Sequence, residues 1–226
     1  MYPNAAVLPL FEKYFKRSNS LLYICTVGFE PNPAHEKQLK GLNDAYNACG
    51  WKTKIYTNTA VSNEDGFAYF FTDHDTDNLE WGGTIIDPSD EKYGRFKDDQ
   101  LQGQKINVIR LSKFINEKVA TRKIPGLNPA EYGQPTVFIK MDIEGSELEV
   151  LHDMVLEGSF AHVDAMMVEF HEFIAVGIDR RQATRHLKNF VQEYAKFYSL
   201  IESKPIDVLD ADDESYYLSN FTLPIC

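Results

Sequence analysis

Asp142 and Glu144 are the side chains best placed in this sequence to carry chemistry. They lie at the end of a dense apolar segment, residues 137–143, and Gly145 and a helical pattern follow them directly. Dense rather than alternating apolar residues are typical of a parallel strand buried on both faces. Ligands of open α/β sheets bind outside the carboxyl ends of the strands. Because a carboxylate at the end of a buried strand must be desolvated and hydrogen-bonded, we predict a functional role for Asp142 and retain Glu144 as a candidate.

The helix that follows allows a purely structural interpretation of the same acids. Ser146 and Glu149 have the spacing of a Ser-x-x-Glu capping box, and acidic residues are favoured in the first turn of any helix. This interpretation accounts for Glu147 and Glu149. It accounts less well for Asp142, which precedes the helix.

Acidic residues also end two other predicted strands. Glu30 follows the apolar residues 21–29, and Glu169 with His171 closes the apolar residues 163–170. A glutamate between a strand and a helix can accept hydrogen bonds from both hydroxyls of a ribose. The three strand ends together therefore indicate a nucleotide-type cofactor crevice.

The composition indicates a single globular domain. The chain has 226 residues, of which 43% are hydrophobic and 25% are charged, and we treat residues 1–226 as one domain. The formal net charge of -11 argues against a surface for nucleic-acid phosphates. No segment reaches the roughly 18 apolar residues of a membrane span.

The cysteines predict a reducing environment. There are three, Cys25, Cys49 and Cys226, and their spacing supports neither a zinc site nor a disulfide framework. We interpret Cys25 and Cys49 as small buried hydrophobic residues. The expected location is therefore cytoplasmic, although a longer form could carry a targeting or membrane segment.

Strand and helix patterns alternate along the chain. The strands are predicted at residues 21–29, 54–57, 67–72, 106–115 with a short helix, 137–143, 163–170, 197–201 and 216–221. The helices are predicted at residues 9–17, from the cap Asn32 to Cys49, from Ser146 to Gly158, and from the cap Asp179 to Tyr194. Residues 73–104 form a long polar segment, which fits a binding loop or lid and equally fits disorder.

Four ordered motifs resemble the FkbM family of S-adenosylmethionine-dependent methyltransferases. They are Phe29-Glu30-Pro31-Asn32-Pro33, then Ala60-Val61-Ser62 with Gly66, then the run from Lys140 to Leu151, and finally Val168-Glu169-Phe170-His171. The resemblance covers about residues 21–221. Its most specific part is the pattern Lys-x-Asp-x-Glu-Gly-x-Glu.

The resemblance implies an α/β fold of the class I methyltransferase type, a Rossmann-like three-layer αβα sandwich with a seven-stranded sheet and an antiparallel final strand. It implies S-adenosyl-L-methionine as cofactor and O-methylation of a hydroxyl on a sugar, glycan or small molecule. The implied cofactor-binding residues are Glu30, Asn32, Ala60, Val61 and Asp142. Glu30 would hold the ribose, Ala60 and Val61 would lie by the adenine, and Asp142 would lie at the methionine end. The implied acceptor-side residues are Glu144, Glu169 and His171.

The residue types agree with this chemistry. Methyl transfer to a hydroxyl requires positioning and a base for the hydroxyl proton. We expect His171 to be that base because imidazole titrates near neutral pH, with Glu169 orienting it or acting instead. We assign no metal ligands, although Asp142, Glu169 and His171 leave a divalent ion open as an alternative.

One expected motif is missing from the sequence. A class I methyltransferase carries a first strand and a glycine-rich turn before the helix that precedes Glu30, and residues 1–20 contain no glycine. We therefore expect an N-terminally shortened domain, with a gap between the strands of Glu30 and Asp142; the alternative is that residues 5–11 or a partner complete the sheet. A catalytically inactive interaction domain and an NAD-linked oxidoreductase stay open as alternatives, although Gly-x-Gly-x-x-Gly is absent.

Overall fold

The computed structural model describes most of the chain in eight segments. They are residues 12–15, 24–72, 83–86, 103–123, 136–171, 178–202, 204 and 206–211. The predicted strand at 216–221 and most of the segment 73–104 lie outside the described residues.

The described residues form eight strands and four α-helices. The strands are β1 (Cys25–Glu30), β2 (Lys52–Thr57), β3 (Thr59–Ser62), β4 (Gly66–Phe70), β5 (Gln104–Arg110), β6 (Phe138–Met141), β7 (Ala165–Val168) and β8 (Asp207–Asp210). The helices are α1 (Glu36–Ala48), α2 (Leu111–Phe114), α3 (Glu147–Leu156) and α4 (Ile178–Glu202). Shorter turns are 3-10 helices at Pro33–His35 and Ser159–His162 and a π-helix at Ile115–Val119 that continues α2. Residues 12–15 are also helical.

The strands are arranged in three sheets. β1 pairs in parallel with β2, β5 lies between parallel β3 and antiparallel β4, and β7 lies between β6 and β8 with all three parallel. The α/β class is confirmed. β1 does not pair with β6 among the described strands. The expected gap between the strand of Glu30 and that of Asp142 stays a prediction. The three-layer sandwich and its continuous sheet stay predictions.

Three element predictions are wrong. Residues 197–201 are not a strand, because α4 runs on through them to Glu202. Asp179 does not cap that helix, since α4 already includes Ile178. The short segment Thr59–Ser62 is a strand, which the sequence did not indicate because only five residues separate β2 from the turn at 63–65.

The cysteines also differ from expectation. Cys25 is free and exposed rather than buried. Cys49 is disulfide-bonded, and disulfides persist mainly in oxidising compartments. The prediction that the cysteines form no disulfide is therefore wrong for Cys49, whereas the compartment stays a prediction.

The sheet of β6, β7 and β8 carries the main hydrophobic core. All four residues of β7 are fully buried, as expected for a central parallel strand covered on both faces. Helices α3 and α4 pack on this sheet through Leu151, Met154 and Val191, which are also buried. No helix in the described parts of the chain is long and apolar enough to cross a bilayer.

A charged pair connects the end of β5 to helix α3. The Arg110 guanidinium donates to both carboxylate oxygens of Asp153, at 3.1 and 2.6 Å, and the Ser112 hydroxyl also donates to Asp153. Burial raises the pKa of Asp153, but the hydrogen bonds from Arg110 and Ser112 outweigh burial, and the pKa lies below its ordinary value of 3.8. The ionised Asp153 therefore stabilises the packing of β5 against α3.

Close packing fixes the segment 83–86 against β4. Phe71 and Thr84 form an antiparallel bridge with backbone hydrogen bonds of 2.8 and 2.9 Å. A Cβ atom on Gly83 would lie only 2.1 Å from Cζ of the buried Phe70 ring. Only a glycine therefore fits at position 83 without moving Phe70.

Gly83→Ala tests this packing. We expect the variant to lose about 1 to 3 kcal/mol of unfolding free energy, since overpacking displaces the Phe70 ring. Gly41→Ala is the matched control, because Gly41 lies in helix α1 with no atom within 4 Å of an added Cβ. The control is expected to gain about 0.5 to 1 kcal/mol from helix propensity. Urea denaturation measures both values, and equal effects of the two variants would contradict the steric argument.

Asp153→Asn tests the charged pair through its pH dependence. A lowered folded pKa means that the ionised carboxylate stabilises the fold above its unfolded pKa and that this contribution disappears as the pH falls through the folded pKa. We expect the variant to be less stable than the wild type at pH 7, and the difference to shrink below about pH 4. Urea denaturation at several pH values gives the comparison. A difference that stays constant down to pH 3 would argue against the ionic contribution.

Candidate active site

Parallel pairing brings two of the predicted acids together. Met141, the last residue of β6, is the register partner of Val168, the last residue of β7. The Glu169 amide then donates to the Met141 carbonyl at 2.9 Å. Asp142 and Glu169 therefore leave the same edge of the sheet from adjacent strands.

His171 and Glu147 form a buried hydrogen bond next to these acids. Nδ1 of His171 is 2.8 Å from Oε1 of Glu147, and the two residues are 3% and 1% exposed. The Glu147 carboxylate also accepts the amides of Gly145, at 3.1 Å, and Ile143, at 3.4 Å. The backbone around the strand end and the imidazole thus share one carboxylate.

The other ring nitrogen of His171 faces three carboxylates. Nε2 lies 3.2 Å from Oε1 of Glu169, 3.6 Å from Oε2 of Glu144 and 3.7 Å from Oδ1 of Asp142. The side chains of these three acids are partly exposed, whereas that of His171 is buried. We call the carboxylates of Asp142, Glu144 and Glu169, which solvent can reach, the rim of the site, and the buried imidazole of His171 its floor.

This environment changes the protonation of His171. Burial lowers the pKa of the imidazole, but the hydrogen bond to Glu147 and the charges of Glu147, Glu144 and Asp142 outweigh burial and raise the pKa to about 9. The ring is consequently protonated at neutral pH. That protonation does not suit the role of general base that the sequence suggested for His171.

The turn between β6 and α3 has an unusual backbone. Glu144 has φ of 52° and Gly145 has φ of 100°, and a left-handed conformation at a residue other than glycine costs about 1 to 3 kcal/mol. The Thr84 hydroxyl donates to the Glu144 carbonyl at 2.8 Å and helps to hold the turn. Strain of this kind is concentrated at functional sites, so the turn fits a role in presenting Glu144.

Asp142 is more exposed than its position predicts. Its side chain is 34% exposed, with Nε2 of His171 3.7 Å from Oδ1 and Nζ of Lys140 4.0 Å from Oδ2. The argument that Asp142 must be desolvated is therefore wrong. The strand ends at Met141, so the carboxylate lies just beyond the buried segment.

The predicted capping box does not form. Ser146 precedes α3, but its side chain makes no capping hydrogen bond. Glu147 instead turns back to the Gly145 and Ile143 amides. Glu147 was not predicted as a site residue, because acids are common in the first turn of any helix. Its position in the acidic motif, two residues after Gly145, could have indicated its role.

Glu30 and Asn32, which the sequence predicts as cofactor-binding residues, lie at the carboxyl end of β1. The Asn32 amide donates to Oε1 of Glu30 at 2.8 Å, and Nδ1 of His35 lies 3.6 Å from the same oxygen. The Asn32 side chain is buried and accepts the Ala34 amide at 2.9 Å, which confirms Asn32 as the residue that caps this turn. The Glu30 side chain is 31% exposed and can therefore contact a ligand.

Ala60 and Val61 lie in β3, next to β5 in the second sheet. Both are buried, Val61 in the main core and Ala60 in a smaller cluster with Phe70 and Ile106. Their contact with an adenine stays a prediction. Among the described contacts none joins Glu30 or Asn32 to the cluster around His171.

Comparison with known families bears on this site. The family model described as the methyltransferase FkbM domain matches residues 8–198, which confirms the resemblance read from the motifs. No curated protein and no solved structure matches the chain. The matched region includes every residue of the cluster around His171 and both of the residues at the end of β1.

Charge removal at the rim and floor of the site tests its electrostatics. We expect Glu147→Gln to lower the pKa of His171 most, because that acid supplies both a hydrogen bond and a charge, with smaller decreases in Glu144→Gln and Asp142→Asn. NMR titration of the imidazole in metal-free buffer measures each value. Glu193→Gln, on the exposed side of α4, is the control and should leave the pKa unchanged. A larger decrease for Asp142→Asn than for Glu147→Gln would contradict the described geometry.

Proposed function

We propose that this chain, which belongs to the FkbM methyltransferase family, transfers the methyl group of S-adenosylmethionine to a hydroxyl oxygen. The observation that carries the proposal is the carboxylate rim around His171, which lies where parallel strands β6 and β7 end. Ligands bind at that edge of α/β sheets. The family membership favours methyl transfer over the hydride transfer of an NAD-linked oxidoreductase.

In this reaction the acceptor oxygen attacks the sulfonium methyl carbon in line with the carbon–sulfur bond. The new bond is carbon–oxygen, the electron pair of the broken bond stays on sulfur, and the hydroxyl proton is lost. The enzyme therefore has to align the two reactants and accept one proton. Because the sulfonium is a reactive methyl donor, a carboxylate is a sufficient base.

Glu169 is our choice for that base. Its carboxylate is partly exposed at the rim and lies 3.2 Å from Nε2 of His171. A protonated His171 can donate to Glu169 and fix its orientation, while Glu147 fixes the ring from the other side. In this scheme His171 and Glu147 are positioning residues, and Glu144 accepts a hydrogen bond from the acceptor.

The cofactor would span the ends of β1 and β6. The Asn32 amide donates to Oε1 of Glu30. A carboxylate has further lone pairs, which can accept both hydroxyls of a ribose. Asp142 would face the ammonium group at the methionine end through Oδ2, since its side chain is exposed and negatively charged, which leaves Oδ1 on the side of His171. Ala60 and Val61 would lie by the adenine.

The acceptor is proposed to be a sugar, a glycan or a small molecule with a hydroxyl. Carboxylates such as those of Glu144 and Glu169 accept hydrogen bonds from neighbouring hydroxyls. The net charge of -11 disfavours a nucleic-acid acceptor. A second candidate is a binding domain without catalysis, which the protonation of His171, the base expected from the sequence, favours.

Calorimetry with S-adenosylmethionine tests the proposal and the role of Glu30. We expect the wild type to bind the cofactor and Glu30→Ala to bind about 1 to 3 kcal/mol more weakly, because charge-assisted hydrogen bonds are lost. Glu64→Gln, in the exposed turn at 63–65, removes one charge elsewhere and should bind like the wild type.

Two results would count against the proposal in different ways. Absence of binding in the wild type would favour the non-catalytic binding domain. Equal affinity in the wild type and Glu30→Ala would remove Glu30 from the cofactor site while leaving methyl transfer possible.

A further inference from the structure

We propose that Asp142, Glu144 and His171 form a binding site for a divalent metal ion. From the sequence we assigned no metal ligands and left only a set of Asp142, Glu169 and His171 open. The geometry points to Glu144 in place of Glu169. One ligand atom from each of Asp142, Glu144 and His171 lies within 4.8 Å of the others.

The spacing of these atoms suits a single ion. Oxygen and nitrogen ligands lie about 2.0 to 2.6 Å from a bound divalent ion, so ligands on opposite sides of it are about 4 to 5 Å apart. The three atoms satisfy this limit before any side chain moves. The two carboxylates are partly exposed at the rim, which gives an ion a route from solvent.

The arrangement behind His171 provides a separate argument. Metal-binding histidines almost always donate the second ring N–H to a carboxylate or carbonyl, which fixes the ring and its tautomer. Nδ1 of His171 has such a partner in Glu147, a carboxylate that is itself buried and held by the Gly145 and Ile143 amides. A tautomer with the proton on Nδ1 directs the Nε2 lone pair at the rim. The buried pair therefore has the form that supports a metal ligand.

The local charge also favours a cation. Four carboxylates, those of Asp142, Glu144, Glu147 and Glu169, surround one imidazole. Among these five side chains even a protonated ring leaves a surplus of negative charge. A divalent ion that replaces the Nε2 proton, with that proton released to solvent, reduces the surplus by one further charge.

The ligand types narrow the identity of the ion. Two carboxylates favour Mg²⁺, Ca²⁺ or Mn²⁺, whereas imidazole favours transition metals such as Mn²⁺, Fe²⁺ or Zn²⁺. Mn²⁺ satisfies both preferences and is paramagnetic, so it is the appropriate probe. Glu169 stays outside the ligand set. With the ion bound it no longer receives a hydrogen bond from Nε2 of His171, but its carboxylate remains available as a base.

The ion gives the site a way to bind the acceptor. A divalent cation with open positions binds a hydroxyl oxygen and lowers its pKa, which makes it easier for a carboxylate to remove the proton. This role rests on the proposed methyl transfer, whereas metal binding itself does not. The substrate class that fits best is an acceptor with neighbouring hydroxyls that can chelate the ion.

The experiment titrates metal-free protein with Mn²⁺ in the absence of S-adenosylmethionine and follows free Mn²⁺ by electron paramagnetic resonance. We expect one Mn²⁺ per chain. Asp142→Asn and Glu144→Gln should each weaken the affinity roughly tenfold or more, as loss of a charged ligand requires. Both side chains are partly exposed, so the variants are expected to fold. Glu193→Gln removes the same charge from α4 and should bind like the wild type.

The results separate the metal site from the proposed function. Failure of the wild type to bind Mn²⁺, or equal affinity in the wild type and both rim variants, would overturn the metal site. Calorimetry with S-adenosylmethionine on the same preparation reports on methyl transfer independently. Mn²⁺ binding without cofactor binding would support the metal site and count against the methyltransferase proposal.

Discussion

The buried hydrogen bond between Glu147 and His171 is the interaction on which the rest of the site depends. A buried carboxylate without partners is costly, and Glu147 meets this requirement with the His171 ring and the amides of Gly145 and Ile143. One side chain therefore joins the end of β6, the start of α3 and the segment after β7. Loss of Glu147 would release all three, and with them the orientation of the carboxylates at the rim.

The same bond explains how acids of like charge can stay close together. Asp142, Glu144 and Glu169 all lie within 3.7 Å of Nε2 of His171, and mutual repulsion would separate them without a cation between them. In the described structure the imidazole supplies that positive charge. A divalent ion in its place would supply more, so the site is organised around a cation whether that cation is a proton or a metal.

Packing elsewhere keeps this arrangement in position. Thr84 reaches the Glu144 carbonyl from a segment that closely packed Gly83 and Phe70 hold against β4. Arg110 and Asp153 fix α3 against the end of β5. These contacts bring together residues separated by 43 to 60 positions in the chain. The left-handed turn at Glu144 persists because the structure on both sides of it is fixed.

The sequence alone determined the family, the α/β class and the positions of the main strand ends, because these follow from local apolar patterns and from a motif of contiguous residues. Glu30, Asp142 and Glu169 could be named because each directly follows an apolar strand. Tertiary structure decided the role of Glu147, the protonation of His171 and the exposure of Asp142. Burial and distance between residues far apart in the chain set those properties, and neither can be read from local spacing.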